Sequence, residues 1–226
     1  MNPNPIPPEQ RRVLLVDDHA LMRESVAEIV NRAPGLEVCG QADSFEAALR
    51  AFAAARPHLV VTDLSLPQRN GFNLIEELCA HAPQVPVLVL SMYSESLHAP
   101  KAFRAGAAGY VMKGDGGQLL AGIRRVLAGG IQLSEHTRRE IMRQLQAERT
   151  QGSQPPFARL TDHERAVFRL RGRRLDPPAI AQALGEESAR IRELLGDIRQ
   201  KLRLANDVAL LHHAILWVET GGTAPD

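Results

Sequence analysis

Residues 59–67 read Leu59-Val60-Val61-Thr62-Asp63-Leu64-Ser65-Leu66-Pro67, and this stretch decides the fold. An apolar, largely β-branched run with no polar alternation fits a strand buried on both faces, as in a parallel sheet. It delivers one carboxylate, Asp63, at its carboxyl end, where open α/β sheets gather their ligand chemistry. Three comparable runs surround it. Val13-Leu14-Leu15-Val16 ends in Asp17-Asp18, Val87-Leu88-Val89-Leu90 ends in Ser91, and Gly109-Tyr110-Val111-Met112 ends in Lys113. A lone Asp after a strand reads as a cap or turn residue. Three carboxylates at one sheet edge read differently, because they repel one another unless a cation joins them. Such a set of hard oxygen ligands fits a divalent metal, Mg²⁺ before Ca²⁺. The Lys and Ser suit the remaining oxygens of a phosphoryl group.

The segment from about Arg11 to Gly130 resembles the receiver domain of a two-component response regulator. The likeness rests on Leu14-Leu15-Val16-Asp17-Asp18-His19, Thr62-Asp63-Leu64-Ser65-Leu66-Pro67, Ser91, and Ala105-Gly106-Ala107-Ala108-Gly109-Tyr110-Val111-Met112-Lys113. The last string, with Leu133-Ser134, is similar to the NarL/FixJ subfamily. The resemblance implies that Asp63 accepts phosphate from the phosphohistidine of a sensor histidine kinase. It implies further that Asp18 binds Mg²⁺ directly, that Asp17 shapes the site, and that Asp63 and the Ser65 carbonyl complete the ligand set. Lys113 would pair with the phosphoryl group, while Ser91 and Tyr110 would report its arrival. His19 is read as a helix-start residue beside the site, since Mg²⁺ prefers oxygen to nitrogen.

Strands and helices alternate from Arg11 to Gly130, which predicts a doubly wound, five-stranded parallel sheet covered on both faces. Met22, Val26, Ile29 and Val30 recur at helical spacing, as do Leu119, Leu120, Ile123, Val126 and Leu127; such stripes are core. Residues 1–10, rich in proline, read as a disordered lead-in with no signal-peptide core. Residues 131–158 form the boundary: a polar helix from Ser134 to about Arg149, with Ile141, Met142 and Leu145 as its apolar side, then the turn-rich stretch Thr150–Pro156. Cys39 and Cys79 have no metal-ligand spacing and fit buried thiols in a reduced, cytoplasmic chain. No apolar run reaches the roughly 18 residues of a membrane span.

The remainder, residues 159–220, changes character. The chain as a whole is balanced, with 27 basic against 26 acidic residues, and residues 11–130 carry 12 of each. Residues 159–203 carry 11 basic against 7 acidic, a net of +4. That asymmetry points to an anionic partner, and nucleic acid is the usual one, although Arg-rich helix faces are often simply solvated. The helix pattern is more telling. Thr161 and Glu164 have capping-box spacing ahead of Val167, Phe168 and Leu170. Asp176-Pro177-Pro178 opens a short helix with Ile180, Ala181 and Leu184, which Gly185 ends. Ser188 then caps a helix carrying Ile191, Leu195, Ile198 and Leu202. Two short helices and a tight turn predict a helix-turn-helix whose second helix enters the major groove. A last helix from Asn206 to about Val218 bears Val208, Leu211, Ile215 and Val218 on one stripe, read as core or as a dimer face.

This small four-helix domain is similar to the LuxR-type helix-turn-helix through Leu160-Thr161, Glu164-Arg165, Val167, Ile180-Ala181, Leu184, Ile191 and Lys201-Leu202. It departs along the recognition helix. Where the family has Thr-Val-Lys and then His, this chain has Arg190, Ile191, Arg192 and Leu194; Glu193 replaces an apolar residue, Gly196 a frequent Lys. Arg174 stands where the family has a glycine. The candidate DNA-facing residues are Arg190, Arg192, Glu193, Gly196, Arg199 and Lys201. Two functions follow: a phosphorylation-controlled transcription factor, dimeric on DNA, or a phosphorylation-controlled module whose altered C-terminal domain binds protein. A small-molecule phosphotransferase is disfavoured, because enzymes with an Asp nucleophile often place an acid-base carboxylate two residues later and Ser65 stands there. The site transfers phosphate only to itself, so the chain is read as a regulator and not an enzyme.

Overall fold

The computed structural model describes residues 10–114, 116–146 and 156–221. Most of the expected lead-in and most of the Thr150–Pro156 stretch lie outside these residues. Five strands, β1 (Arg11–Val16), β2 (Leu36–Ala42), β3 (Leu59–Thr62), β4 (Val87–Ser91) and β5 (Gly109–Met112), form one sheet. All pairings are parallel, in the order β2-β1-β3-β4-β5. The doubly wound sheet is therefore as predicted. The strand order reverses between β1 and β3, the switch point beside which ligands bind in such sheets.

Five helices cover the sheet: α1 (Ala20–Arg32), α2 (Phe45–Ala55), α3 (Gly71–His81), α4 (Glu95–Ala105) and α5 (Gly116–Leu127). Alternate residues of each strand point to opposite faces. Val13, Leu15, Leu59 and Val61 accordingly pack with Val26, Val30, Ile123 and Val126 of α1 and α5. Leu14, Val16, Val60 and Val87 pack instead with α2, α3 and α4 through Ala48, Leu74, Ile75 and Ala102. Every residue of β3 is buried, which accounts for its lack of polar alternation.

The open edge of β5 is covered by the chain leaving α5. Gln132 pairs in parallel with Gly109, accepting from the Tyr110 N–H at 2.8 Å and donating to the Ala108 carbonyl at 3.0 Å. Helix α6 (Glu135–Gln146) follows, with Ile141, Met142 and Leu145 buried as its pattern predicts. It is docked: Arg104 of α4 donates to Gln144 at 2.6 Å.

The remaining helices are α7 (Asp162–Gly172), α8 (Pro177–Leu184), α9 (Ser188–Leu202) and α10 (Asp207–Glu219), entered through a short 3-10 turn at Pro156–Arg159. The capping box of α7 is formed both ways, Glu164 N–H to Thr161 at 3.2 Å and Thr161 N–H to Glu164 at 2.8 Å. Asp176 caps α8 by accepting from Ala179, and Gly185 ends it in the left-handed region. Helix α9 corrects one expectation: its cap position is Glu187, without a side-chain bond, and Ser188 is already helical. Arg174 has φ of 68°, the left-handed backbone that a glycine would take most readily.

Helix α10 is enclosed. Gly172 lets α7 approach it so closely that a Cβ there would lie 2.2 Å from the Ala214 carbonyl oxygen. Its other flank meets the receiver: Asn206 donates to the Ala105 carbonyl at 2.7 Å, and the His212 and His213 rings lie against Phe103. Arg138 of α6 adds an ion pair to Glu219 at 2.7 Å. One apolar cluster thus runs from the sheet through α4 into the C-terminal helices.

Candidate functional site

Ladder hydrogen bonds carry the sheet up to the acidic residues and hold their backbones. Asp63 N–H donates to Val16 at 2.8 Å, Asp17 N–H to Ala42 at 3.0 Å, and Lys113 N–H to Ser91 at 2.9 Å. The side chains then converge. Lys113 Nζ lies 2.6 Å from Asp17 Oδ2 and 2.7 Å from Asp63 Oδ2, with all three side chains under a tenth exposed. Burial opposes the charge on Lys113, but the hydrogen bonds and attraction of Asp17 and Asp63 outweigh it and raise its pKa above the usual lysine value. The second oxygen of Asp63 accepts from the Leu64 N–H at 2.6 Å. The loop that supplies this N–H returns tightly: Gly71 donates to the Leu64 carbonyl, and a Cβ at Gly71 would lie 2.3 Å from the Asp63 carbonyl oxygen.

Asp17, Asp18, His19 and Asp63 each offer a ligand atom, and these atoms all lie within 4.8 Å of one another. Asp18 is exposed while Asp17 and Asp63 are buried, so the cluster opens outward on the Asp18 side. Three carboxylates in this span can bind a metal ion, and the donor set is the oxygen-rich kind hard divalent cations take. His19 occupies the cap position of α1 as expected, and its Nδ1 also lies 2.7 Å from Asp18. Ser65 is half-buried, and its hydroxyl bonds the Tyr93 hydroxyl at 3.1 Å.

Ser91 and Tyr110 are buried together beneath the β4–α4 loop. The Tyr110 hydroxyl donates to the Tyr93 carbonyl at 2.8 Å, and Tyr93 N–H lies 3.4 Å from Ser91 Oγ. Burial pushes the Tyr110 phenol up to about 12, partly offset by its hydrogen bond to Ser91. The Tyr110 side chain thus points inward in this structure. Tyr93, which reasoning from sequence missed, touches Ser65, Ser91 and Tyr110 alike. Its signal was only its place two residues past Ser91.

On α9, Arg190, Arg192 and Glu193 are exposed, and a Cβ at Gly196 would meet nothing within 4 Å. Arg190 is paired with Glu193 at 3.0 Å, and Arg199 lies 3.5 Å from Asp207. Lys201 is engaged inside the domain, both Glu164 oxygens accepting from it at 2.7 Å. In the stripe read as core or as a dimer face, Val208 and Ile215 are 6% and 3% exposed, while Leu211 and Val218 are half-buried.

The converging strand ends define the class. Residues 13–124 match the response regulator receiver domain, and the chain belongs to the response regulators of two-component systems, in the NarL/FixJ group. It is 33% identical over 174 residues to the DNA-binding transcriptional activator DevR/DosR of Mycobacterium tuberculosis, covering 76% of this chain and 79% of that one. A crystal structure of a LuxR-family two-component response regulator from Aurantimonas superposes with a TM-score of 0.55 at 34% identity, covering 59% of this chain and 96% of the other. The Salmonella typhimurium RcsB response regulator shares the two-domain fold at 21% identity, with a TM-score of 0.54, over 90% of this chain and 97% of its own. Among the described residues no helix is long and apolar enough to cross a membrane.

Proposed function

We propose that the protein is a cytoplasmic, phosphorylation-controlled transcription factor that takes phosphate at Asp63 from a sensor histidine kinase. The observation that carries the reading is the buried Lys113 ammonium bridging Asp17 and Asp63 at the switch point of the sheet. In the transfer, Asp63 Oδ2 attacks the phosphorus of a phosphohistidine and the phosphorus–nitrogen bond breaks. Lys113 then turns from the carboxylate to the phosphoryl oxygens, where a fixed cation offsets the added charge. Asp18, Asp17, Asp63 and the Ser65 carbonyl would hold Mg²⁺, which supplies positive charge to the incoming phosphate. Ser91, beside Tyr110 and the Tyr93 backbone, links the site to α4.

The DNA-binding part of the proposal is supported by the similarity to DevR/DosR and by the open α9 surface carrying Arg190 and Arg192. In this reading phosphorylation shifts the population away from the docked arrangement and frees α10, whose Val208, Leu211, Ile215 and Val218 then join a second subunit. Incubation with Mg²⁺ and acetyl phosphate should label the wild type and leave Asp63→Asn unlabelled. Equal labelling of that variant would move the acceptor to Asp17 or Asp18.

A further inference from the structure

A cleft of about 730 Å³ opens between the two domains on the side of the sheet opposite Asp63. Its receiver wall comes from the amino ends of the strands: Arg11 begins β1, His58 precedes β3, Pro86 precedes β4 and Ala108 precedes β5. Its other wall is α10, through Leu211 and Ile215, together with Arg174 from the α7–α8 turn. A volume of this size, between domains and mostly apolar, is that of a small-molecule site.

The charge of the lining is one-sided. Arg11, Arg56 and Arg174 line the cleft with His58, and among the described residues no Asp or Glu does. Among the described residues none of these three arginines is in a side-chain ion pair, although most arginines on α6 and α7 are. His58 accepts the Arg12 N–H at Nδ1, at 3.0 Å, so the neutral ring carries its proton on Nε2 and is a further donor. Arg174 reaches across the domain boundary over Gly129, where a Cβ would lie 2.3 Å from its Nη1. Two of the cations, Arg56 and Arg174, also sit on left-handed backbone, at φ of 46° and 68°.

We propose that this cleft binds a small amphipathic organic anion, its apolar body against Phe52, Leu211 and Ile215 and its carboxylate or phosphate against Arg11, Arg56 and Arg174. Because the walls belong to both domains, a bound anion stabilises the docked arrangement by linkage.

The test is calorimetric titration of the full chain with dodecanoate and with dodecyl phosphate, below their micelle concentrations, against dodecanol as neutral isostere. The double variant Arg56→Asn/Arg174→Asn removes charge while keeping a residue that tolerates left-handed backbone, and circular dichroism checks its fold. Saturable one-to-one binding of an anion, weaker by roughly tenfold or more for dodecanol and for the double variant, supports the proposal. The tighter headgroup distinguishes a carboxylate source from a phosphate source. Absence of saturable binding, equal binding of dodecanol, or an unaffected folded variant overturns it. So does a wild type that ignores the anions and self-associates through the cleft, losing that association on Leu211→Glu, since a second copy would then be the occupant. Asp63 labelling is unaffected in every arm, so failure here is distinct from failure of the phosphoacceptor reading.

Discussion

Asn206 divides its side chain between the two domains. Its Oδ1 accepts from Ala209 at 2.8 Å and caps α10, while its Nδ2 donates to the Ala105 carbonyl at 2.7 Å, in the receiver. Replacement by Asp keeps the cap and sets an acceptor against a carbonyl, so Asn206→Asp acts on the interface alone. We expect it to loosen domain docking by about 1–3 kcal/mol, the cost of leaving a buried acceptor unmet beside a charge. Small-angle scattering should show a larger radius of gyration with unchanged helical content. An unchanged radius would mean that α10 is held by its apolar contacts and not by this bond.

The receiver was legible because its chemistry and its burial coincide: four of the five strand runs end in a candidate site residue, and the alternation of strands with helices places those ends at one edge. The α10 stripe was not, since Val208, Leu211, Ile215 and Val218 look the same whether a second subunit or α4 and α7 cover them. In this structure α10 is docked through His212 and His213, polar residues buried among apolar ones, whose partners Ala107 and Phe103 lie more than a hundred residues away. No local pattern encodes a contact at that range. The partner of Lys201 was hidden for the same reason: its ion pair with Glu164 spans 37 residues, and no pattern along α9 announces it.

The two histidines predict an acid-sensitive interface. Burial holds His212 down to about 4 and His213 down to about 3, with nearby Arg171, Arg174 and Arg104 adding repulsion. Each Nδ1 lies on a carbonyl, of Ala107 and Ala209, so the neutral ring donates there. Folded-state values below the unfolded 6.5 mean that the unfolded chain binds the extra protons. Stability is therefore full above pH 6.5 and falls as pH drops toward the folded values, by about 1.4 kcal/mol per unit and ring. Urea midpoints between pH 7 and about 4.5 should fall steeply for the wild type and less for His212→Asn/His213→Leu. Parallel curves would assign the acid sensitivity to carboxylates elsewhere.

Glu164 joins the start of α7 to the end of α9. Although its burial disfavours charge, the hydrogen bonds from Lys201 and Thr161 prevail and hold its carboxyl below the usual range. Lys201→Met leaves that carboxylate buried without its cation, and we expect a loss of roughly 1–3 kcal/mol, tempered because Lys201 is partly open to water. Glu164→Gln retains an acceptor for the Thr161 N–H and should cost less. Thermal melts of both variants test the ordering. A Lys201→Met protein as stable as wild type, with weaker DNA binding, would make Lys201 a phosphate contact and not a structural cation.

The last prediction concerns the α9 surface. Arg190 is held by Glu193, and Gly196, three residues on and so on the same face, leaves open space where a side chain fits. Glu193→Val releases Arg190, and Gly196→Lys adds a cation while removing a helix-interior glycine worth about 1 kcal/mol. The double variant should bind DNA more tightly than wild type. Its log affinity should also fall more steeply with log salt, by about 0.9 for each further phosphate that the freed or added cations neutralise. Fluorescence anisotropy on genomic fragments, with and without beryllofluoride, measures both. If the activated wild type shows no binding while the double variant binds, the natural C-terminal domain serves a protein partner. If neither binds while both remain folded, α9 is not a recognition helix, and the cations of the domain answer to another anion.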